Sequence, residues 1–416
     1  MEKGKPKKTI HSNYRRSIAT RCECLDFVEA SHRHKVFPVM YCHMEITGHL
    51  DIERMKAAIQ TSCYYVPEIL YAYDFRYGRF TDIGLSVDDT FILGRSFYFW
   101  DLSHRPQLQI SICRQEKRDI IVFGMSHILT DAEGFLQYLY LLAALYNGQT
   151  FNLPLHNHRD ITPILKDIYV QKPTQQTRTG KRKRVPPLRT LSKGKNFFCL
   201  VSRISCNEFL LLHSKAKKNK VTLNTVFMTA YARVISRLND IDIVTIPCPA
   251  DLRRFSKTTN KLTVANMTGI YRRVTIEIKP QHTFMETLSQ VQIEMNLQKS
   301  RYRCFAGIKT LNYAFHKVPR PLLGQVIKAT YRLLPVSYTN MGSINAEKLF
   351  FNDCCIASCY MTGTYRLPPD FQLSISTFQD VCTLNCTLIG KQEDRLTGQY
   401  ILDQVKKELL EWLGSN

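Results

Sequence analysis

The 416-residue chain has no apolar run of the roughly 18 residues needed to cross a bilayer. Its opening stretch, residues 1–16 (MEKGKPKKTIHSNYRR), is basic but lacks the apolar core of a secretory signal. A cytoplasmic location is therefore expected. Acids are scarce beside cations: Lys and Arg number 57 against 35 Asp and Glu, a formal charge of +22. No DNA- or RNA-reading motif accompanies that charge, so nucleic acid is not an expected partner. The excess suits an anionic membrane surface, in peripheral contact, or an acidic partner such as coenzyme A or a carrier protein. Paired metal-ligand spacing is also missing. Cys22-Glu23-Cys24 with His32 and His34, and Cys354, Cys355 and Cys359, come nearest. Neither has the spacing of a structural zinc site, so no metal is expected. The 14 cysteines are scattered through apolar segments, as at Cys42, Cys113, Cys248 and Cys386. There they read as small buried hydrophobes, reduced in a cytoplasmic protein.

What is present is globular: 44% hydrophobic and 22% charged residues, with length for two or three domains. Residues 36–47 alternate as a strand, and 51–63 carry Met55, Ala58 and Ile59 behind an acidic first turn, as a helix does. Residues 71–83 are rich in Tyr and Phe and read as one or two strands. Leu108, Ile110 and Ile112 alternate in another. Residues 151–196 hold five prolines and many Lys, Arg, Gln and Thr, with few core residues after Tyr169. We read 1–170 as a first subdomain, 171–196 as a basic linker or flap, and 197–416 as a second subdomain. The second restarts with a strand near 197–204. A capping box, Ser205 with Glu208, opens one helix and Thr222 caps the next. Strands are expected at 241–247, 269–278, 336–342, 371–377 and 381–388, and helices at 284–297 and 396–413. Each half is a mixed sheet with helices, an α/β plan.

The chain is organised around residues 119–147, DIIVFGMSHILTDAEGFLQYLYLLAALYN. The run Ile120 to Met125 suits a strand buried on both faces. Phe135, Leu136, Leu139, Leu142, Ala143 and Tyr146 form a helical stripe. Between them stand Ser126, His127, Asp131 and Gly134. A neutral imidazole at a strand end can take a proton from a hydroxyl or amine near neutral pH. The plain alternative makes His127 a core histidine and Asp131 an N-cap.

This segment resembles the HHxxxDG motif of the condensation-domain and chloramphenicol-acetyltransferase-like acyltransferases. It is also similar to their free-standing relatives, the alcohol acetyltransferases, wax ester synthases and polyketide-associated acyltransferases. Further matches follow in order: Gly48-His49-Leu50-Asp51 and Pro67-Glu68; Trp100-Asp101-Leu102-Ser103 with Pro106; Val221-Thr222-Leu223-Asn224; Asp251-Leu252-Arg253-Arg254; and Asn266-Met267-Thr268-Gly269. Two positions depart from the motif. Ser126 replaces the first histidine, and Ala132 replaces the glycine, with Gly134 two positions on.

The resemblance implies two chloramphenicol-acetyltransferase-like subdomains in a V-shaped pseudo-dimer with a central tunnel. It implies transfer of an acyl group from a thioester, acyl-coenzyme A or acyl-carrier protein, to an alcohol or amine, with no bound cofactor. His127 would be the general base. Asp131 would turn away from substrate and pair with Arg253, or with Arg254 beside it. The alternative leaves Asp131 a helix cap and Arg253 on the surface. Ser126, Gly134, Tyr338 and Asn340 are candidates for the tunnel wall or substrate contacts, although Asn340 also reads as a turn residue before Gly342. A monomer is expected. Two other readings stay open: a free-standing condensation enzyme forming amide bonds between carrier-bound substrates, and a non-catalytic binding module of the same fold.

Overall fold

A computed structural model of the chain describes residues 19–94, 100–150, 155–170, 187–189, 191–257, 261–331 and 333–415. The basic clusters at 3–8 and 181–184 lie outside these residues. The first half runs β1 (Ala19–Arg21), α1 (Cys24–Ser31), β2 (Val36–Phe37), β3 (Val39–Thr47), α2 (Ile52–Ser62), β4 (Ala72–Asp74), β5 (Arg79–Thr81), β6 (Phe91–Leu93), β7 (Leu108–Arg114), β8 (Arg118–Ser126), α3 (Ala132–Tyr146) and α4 (Thr162–Lys166). The second half runs β9 (Asn196–Ile204), α5 (Cys206–Lys218), α6 (Leu223–Asn239), β10 (Ile243–Asp251), β11 (Thr268–Glu277), α7 (Phe284–Ser300), α8 (Ile308–Lys317) and α9 (Arg320–Thr330). It ends with β12 (Val336–Ile344), β13 (Cys355–Thr362), β14 (Tyr365–Arg366), β15 (Phe371–Phe378), β16 (Val381–Gly390) and α10 (Gln392–Gly414).

Local chemistry accounts for many boundaries. Asp51 accepts from Arg54 N at the head of α2, Thr222 from Thr225 N at α6, and Thr283 from Glu286 N at α7. Ser205 and Glu208 close the capping box of α5. Residues 67–70 form a separate 3-10 turn opened by Pro67.

Two sheets carry the molecule. The first is five-stranded, in the order β13-β3-β8-β7-β6. The second is six-stranded, β12-β15-β16-β14-β2, with β9 also on β16. Each contains a strand from the other half of the chain. β13 pairs antiparallel with β3, Tyr360 opposite His43, and so completes the first sheet with second-half residues. β2 pairs with β14, Phe37 opposite Tyr365, in the second sheet. The boundary at 197 is thus crossed twice by strand pairing. Residues 355–362, considered in the sequence for cysteine spacing alone, are this crossing strand.

Aromatic rings fill the space beside the crossing. Trp100 stands edge-on to Phe37 and Tyr41, and Phe197 edge-on to Phe37 and Tyr365. Gly124 in β8 is required here, because a Cβ would lie 2.7 Å from the Trp100 ring. The end of the 171–196 segment is docked: Leu188 and Leu191 are buried, and Ser192 N donates to Asp394 at 2.6 Å. Lys193 and Lys195 beside them are exposed.

Candidate active site

The site begins where β8 stops. Ser126 is its last residue, fully buried, and its Oγ accepts from Ile128 N at 3.2 Å. That bond turns the chain out of the sheet at His127. The His127 N–H donates to Pro38 O at 2.8 Å, and its C=O accepts from Asn266 Nδ2 at 2.9 Å. The main chain of the histidine is thus gripped from both sides. Its ring is half-buried, with Nδ1 inside and without a hydrogen-bond partner among the described residues.

Asp131 is both the N-cap of α3 and the centre of a polar cluster. Its Oδ1 accepts from Gly134 N at 3.0 Å and Arg253 Nη2 at 2.9 Å. Its Oδ2 accepts from Arg253 Nη1 at 3.1 Å, Met267 N at 2.7 Å and Thr268 Oγ1 at 2.8 Å. The carboxylate is 2% exposed, so its acceptor capacity is met by protein and not water. Burial pushes the Asp131 pKa up. The Arg253 charge and these donors outweigh burial and hold it below the usual carboxylate range.

Arg253 spends its remaining donors on its own half. Nε donates to Thr263 Oγ1 at 2.7 Å, Nη1 to Asp251 at 2.9 Å, and Nη2 to Ala265 O at 2.7 Å. Arg254 is exposed. The planar guanidinium suits this work because it meets a carboxylate with two parallel bonds and still has four other acceptors within hydrogen-bond distance, Thr263 O at 2.9 Å being the fourth.

A second buried ion pair supports the same loop and was not legible in the sequence. Asp26 in α1 receives Arg159 Nη2 at 2.6 Å, and both side chains are buried. Arg159 Nη1 also donates to Leu129 O and Val264 O, at 3.1 and 2.9 Å. Asn266 Nδ2 lies within hydrogen-bond distance of Asp26 Oδ1, His127 O and Ile128 O, at 2.9, 2.9 and 3.0 Å. Residues 127–131 are therefore tied down by two arginines and an asparagine. Arg159 lay in a stretch poor in apolar residues, and Asp26 in a short helix without a strong periodic signal. The Glu23–Asp26 spacing, which brings Glu23 N to 2.7 Å from Asp26 Oδ2, was the available hint.

Gly134 faces the second half. A Cβ there would meet Thr130 Oγ1 at 2.1 Å, Thr263 O at 2.9 Å and Ala265 N at 3.0 Å. Tyr338 and Asn340 meet elsewhere: both donate to Asn224 Oδ1, at 3.0 and 3.3 Å. Asn340 Oδ1 also accepts from Gly342 N at 2.9 Å within β12. Among the described residues, neither is hydrogen-bonded to the segment 126–131. Asn224, quoted from the sequence as part of a helix start, is the hub of this second cluster.

The chain has the α/β fold of solved condensation domains, two chloramphenicol-acetyltransferase-like subdomains in one chain. Polyketide synthase associated protein 5 from Mycobacterium tuberculosis matches over 95% of this chain and 99% of its own, with a TM-score of 0.70 at 11% identity. The epimerization domain from the third module of tyrocidine synthetase B covers 95% and 96%, with a TM-score of 0.65 at 11% identity. TRI3 trichothecene 15-O-acetyltransferase from Fusarium sporotrichioides covers 95% and 96%, with a TM-score of 0.63 at 11% identity. No protein-family model matches the chain, and no curated protein matches it in sequence.

Proposed function

We propose that this protein is an acyltransferase with His127 as its general base. The donor is a thioester of coenzyme A or of an acyl-carrier protein, and the acceptor a hydroxyl or amine. One observation carries the reading: His127 leaves the end of β8 with both main-chain groups bonded and Nδ1 without a hydrogen-bond partner among the described residues, while Asp131 is fully engaged by Arg253 and its neighbours. Rigid backbone and uncommitted ring are what a base needs if it is to hold its place and exchange a proton.

In the proposed reaction, donor and acceptor enter a tunnel between the halves from opposite faces. The imidazole takes the proton of the acceptor as its oxygen or nitrogen attacks the thioester carbonyl. Collapse of the tetrahedral intermediate breaks the C–S bond, and the imidazolium returns the proton to the departing thiolate. Held together, the two substrates need no covalent acyl-enzyme. Asp131 touches neither; it holds the loop. No cofactor takes part.

A second reading, amide-bond formation between carrier-bound substrates, is favoured by the likeness to condensation domains such as the first of the CDA synthetase. The two readings part on donor and acceptor. Acyl-coenzyme A and acyl-carrier thioesters of graded length are offered with alcohols and amines, and released thiol and acylated product are measured. The expected result is transfer that falls about 10²–10⁴-fold in His127→Ala with an unchanged unfolding transition. Undiminished transfer in that variant rejects the base. Binding without transfer to any acceptor supports a non-catalytic module.

A further inference from the structure

The helical pair α8 and α9 has more apolar surface than its packing uses. In α9 (RPLLGQVIKAT), Leu323 and Ile327 are buried, while Leu322 and Val326 point outward, 53% and 47% exposed. In α8, Ile308 and Phe315 are buried and Tyr313 is 69% exposed. In α9 the four residues Leu322, Leu323, Val326 and Ile327 form one apolar stripe roughly 140° wide, of which the Leu322–Val326 edge is left uncovered, whereas a stripe of this kind normally faces protein across its whole breadth. Here the inner side rests on α1, where Phe27 meets the Phe315 ring, and the outer side meets no other part of the described chain that would bury these three residues.

The surroundings specify the sign of what covers it. Residues 295–346 contain eight Lys and Arg and not one Asp or Glu. Lys309, Lys317 and Lys328 are exposed on the two helices. The exposed turn Arg33-His34-Lys35 adjoins them, with His34 close enough to feel the Lys328 charge. Nearby acids are engaged: Asp167 pairs with Lys257 at 2.8 Å, and Glu29 and Asp370 lie half-buried near Arg366. The two longest of the chain's remaining segments carry the same sign as this face. Residues 1–18 hold six Lys and Arg against one Glu, and 171–186 hold six and no acid. A second copy would bring the same positive face and be repelled.

We propose that the outer face of α8 and α9 docks the protein on an anionic lipid surface. Leu322 and Val326 enter the acyl boundary, Tyr313 sits at headgroup level, and the lysines extend to lipid phosphates. Three side chains standing on the outward sides of helices need no shaped partner pocket, and a fluid acyl layer supplies that. This inference is independent of the proposed reaction.

The full-length protein is floated with vesicles of phosphatidylcholine alone and with about 30% phosphatidylglycerol added. Association is expected with the anionic vesicles, and its loss in about 1 M NaCl, where the Debye length is about 3 Å. Leu322→Glu/Val326→Glu is expected to weaken it roughly tenfold or more with an unchanged circular dichroism spectrum. As a positive readout, Val326→Trp should shift its emission to the blue on anionic vesicles, against the constant signal of buried Trp100 and Trp412. Three results overturn the proposal: no association with anionic vesicles, undiminished binding by the double Glu variant, or an unshifted Val326→Trp. So does binding, through the same residues, to an acidic carrier protein in preference to vesicles.

Discussion

Arg253 reaches from the second half of the chain to both carboxylate oxygens of Asp131, at 2.9 and 3.1 Å, three residues' width from the base proposed for catalysis. The two residues are 122 positions apart in the chain, a loop that only the folded state closes. Removing one partner should therefore be costly and removing both much less so. Arg253→Met strands a buried carboxylate and should cost about 3–5 kcal/mol. Asp131→Asn should cost a similar amount. The double variant should fall short of the sum by about 1–3 kcal/mol in urea unfolding. Strict additivity would mean that the two side chains do not cooperate.

Acid should destabilise the protein in two windows. His43 is pushed down to about 4 by desolvation, on a strand where its ring stacks on Tyr360 with centroids 4.8 Å apart. Its folded pKa lies below the unfolded value of about 6.5, so its contribution is complete above that pH and is lost as pH falls toward the folded value. Asp131 is also held below its unfolded value, so its contribution persists to lower pH and is lost as pH falls through its folded pKa. His43→Phe should flatten the stability profile between pH 6.5 and about 4 while leaving the lower window. A variant with the wild-type slope there would rule out His43 as its source.

Asn266→Ala should separate rate from binding. The Asn266 amide lies against three oxygens, including His127 O, and its loss leaves buried acceptors unmet at about 1–3 kcal/mol. With the loop freed, kcat for the proposed acyl transfer should drop while KM changes little, because Asn266 holds the main chain of the proposed base. Equal loss in both, or none in kcat, would reduce it to a packing residue.

Gly134→Ala tests two opposed effects at one position. In an exposed helix the change gains about 1 kcal/mol in propensity. In α3 the new Cβ would meet Thr130 Oγ1 at 2.1 Å and the main chain at 263 and 265 near 3.0 Å. Overpacking of this kind costs about 1–3 kcal/mol or more. A lower melting temperature is expected; a higher one would mean that residues 263–265 yield freely.

The sequence by itself determined the local plan. Helix starts at Ser205, Thr222 and Asp131 were legible because a cap is satisfied within three or four residues. The strand before His127 and the stripe after it were legible because burial repeats with the period of each element. Even Arg253 could be named for Asp131, although from the order of motifs and not from any local signal. The tertiary structure decided what depends on distant partners. β13 became the fifth strand of the first sheet because β3 offered an unpaired edge, and nothing in residues 355–362 announces that edge. Asp26, Arg159 and Asn266 were brought together because a buried charge and buried carbonyls must be met by whatever the fold places near them. Tyr338 and Asn340 converged on Asn224 for the same reason. Periodicity and capping report on neighbours in the chain; polar satisfaction in the interior reports on neighbours in space, and those exist only once both halves have closed on each other.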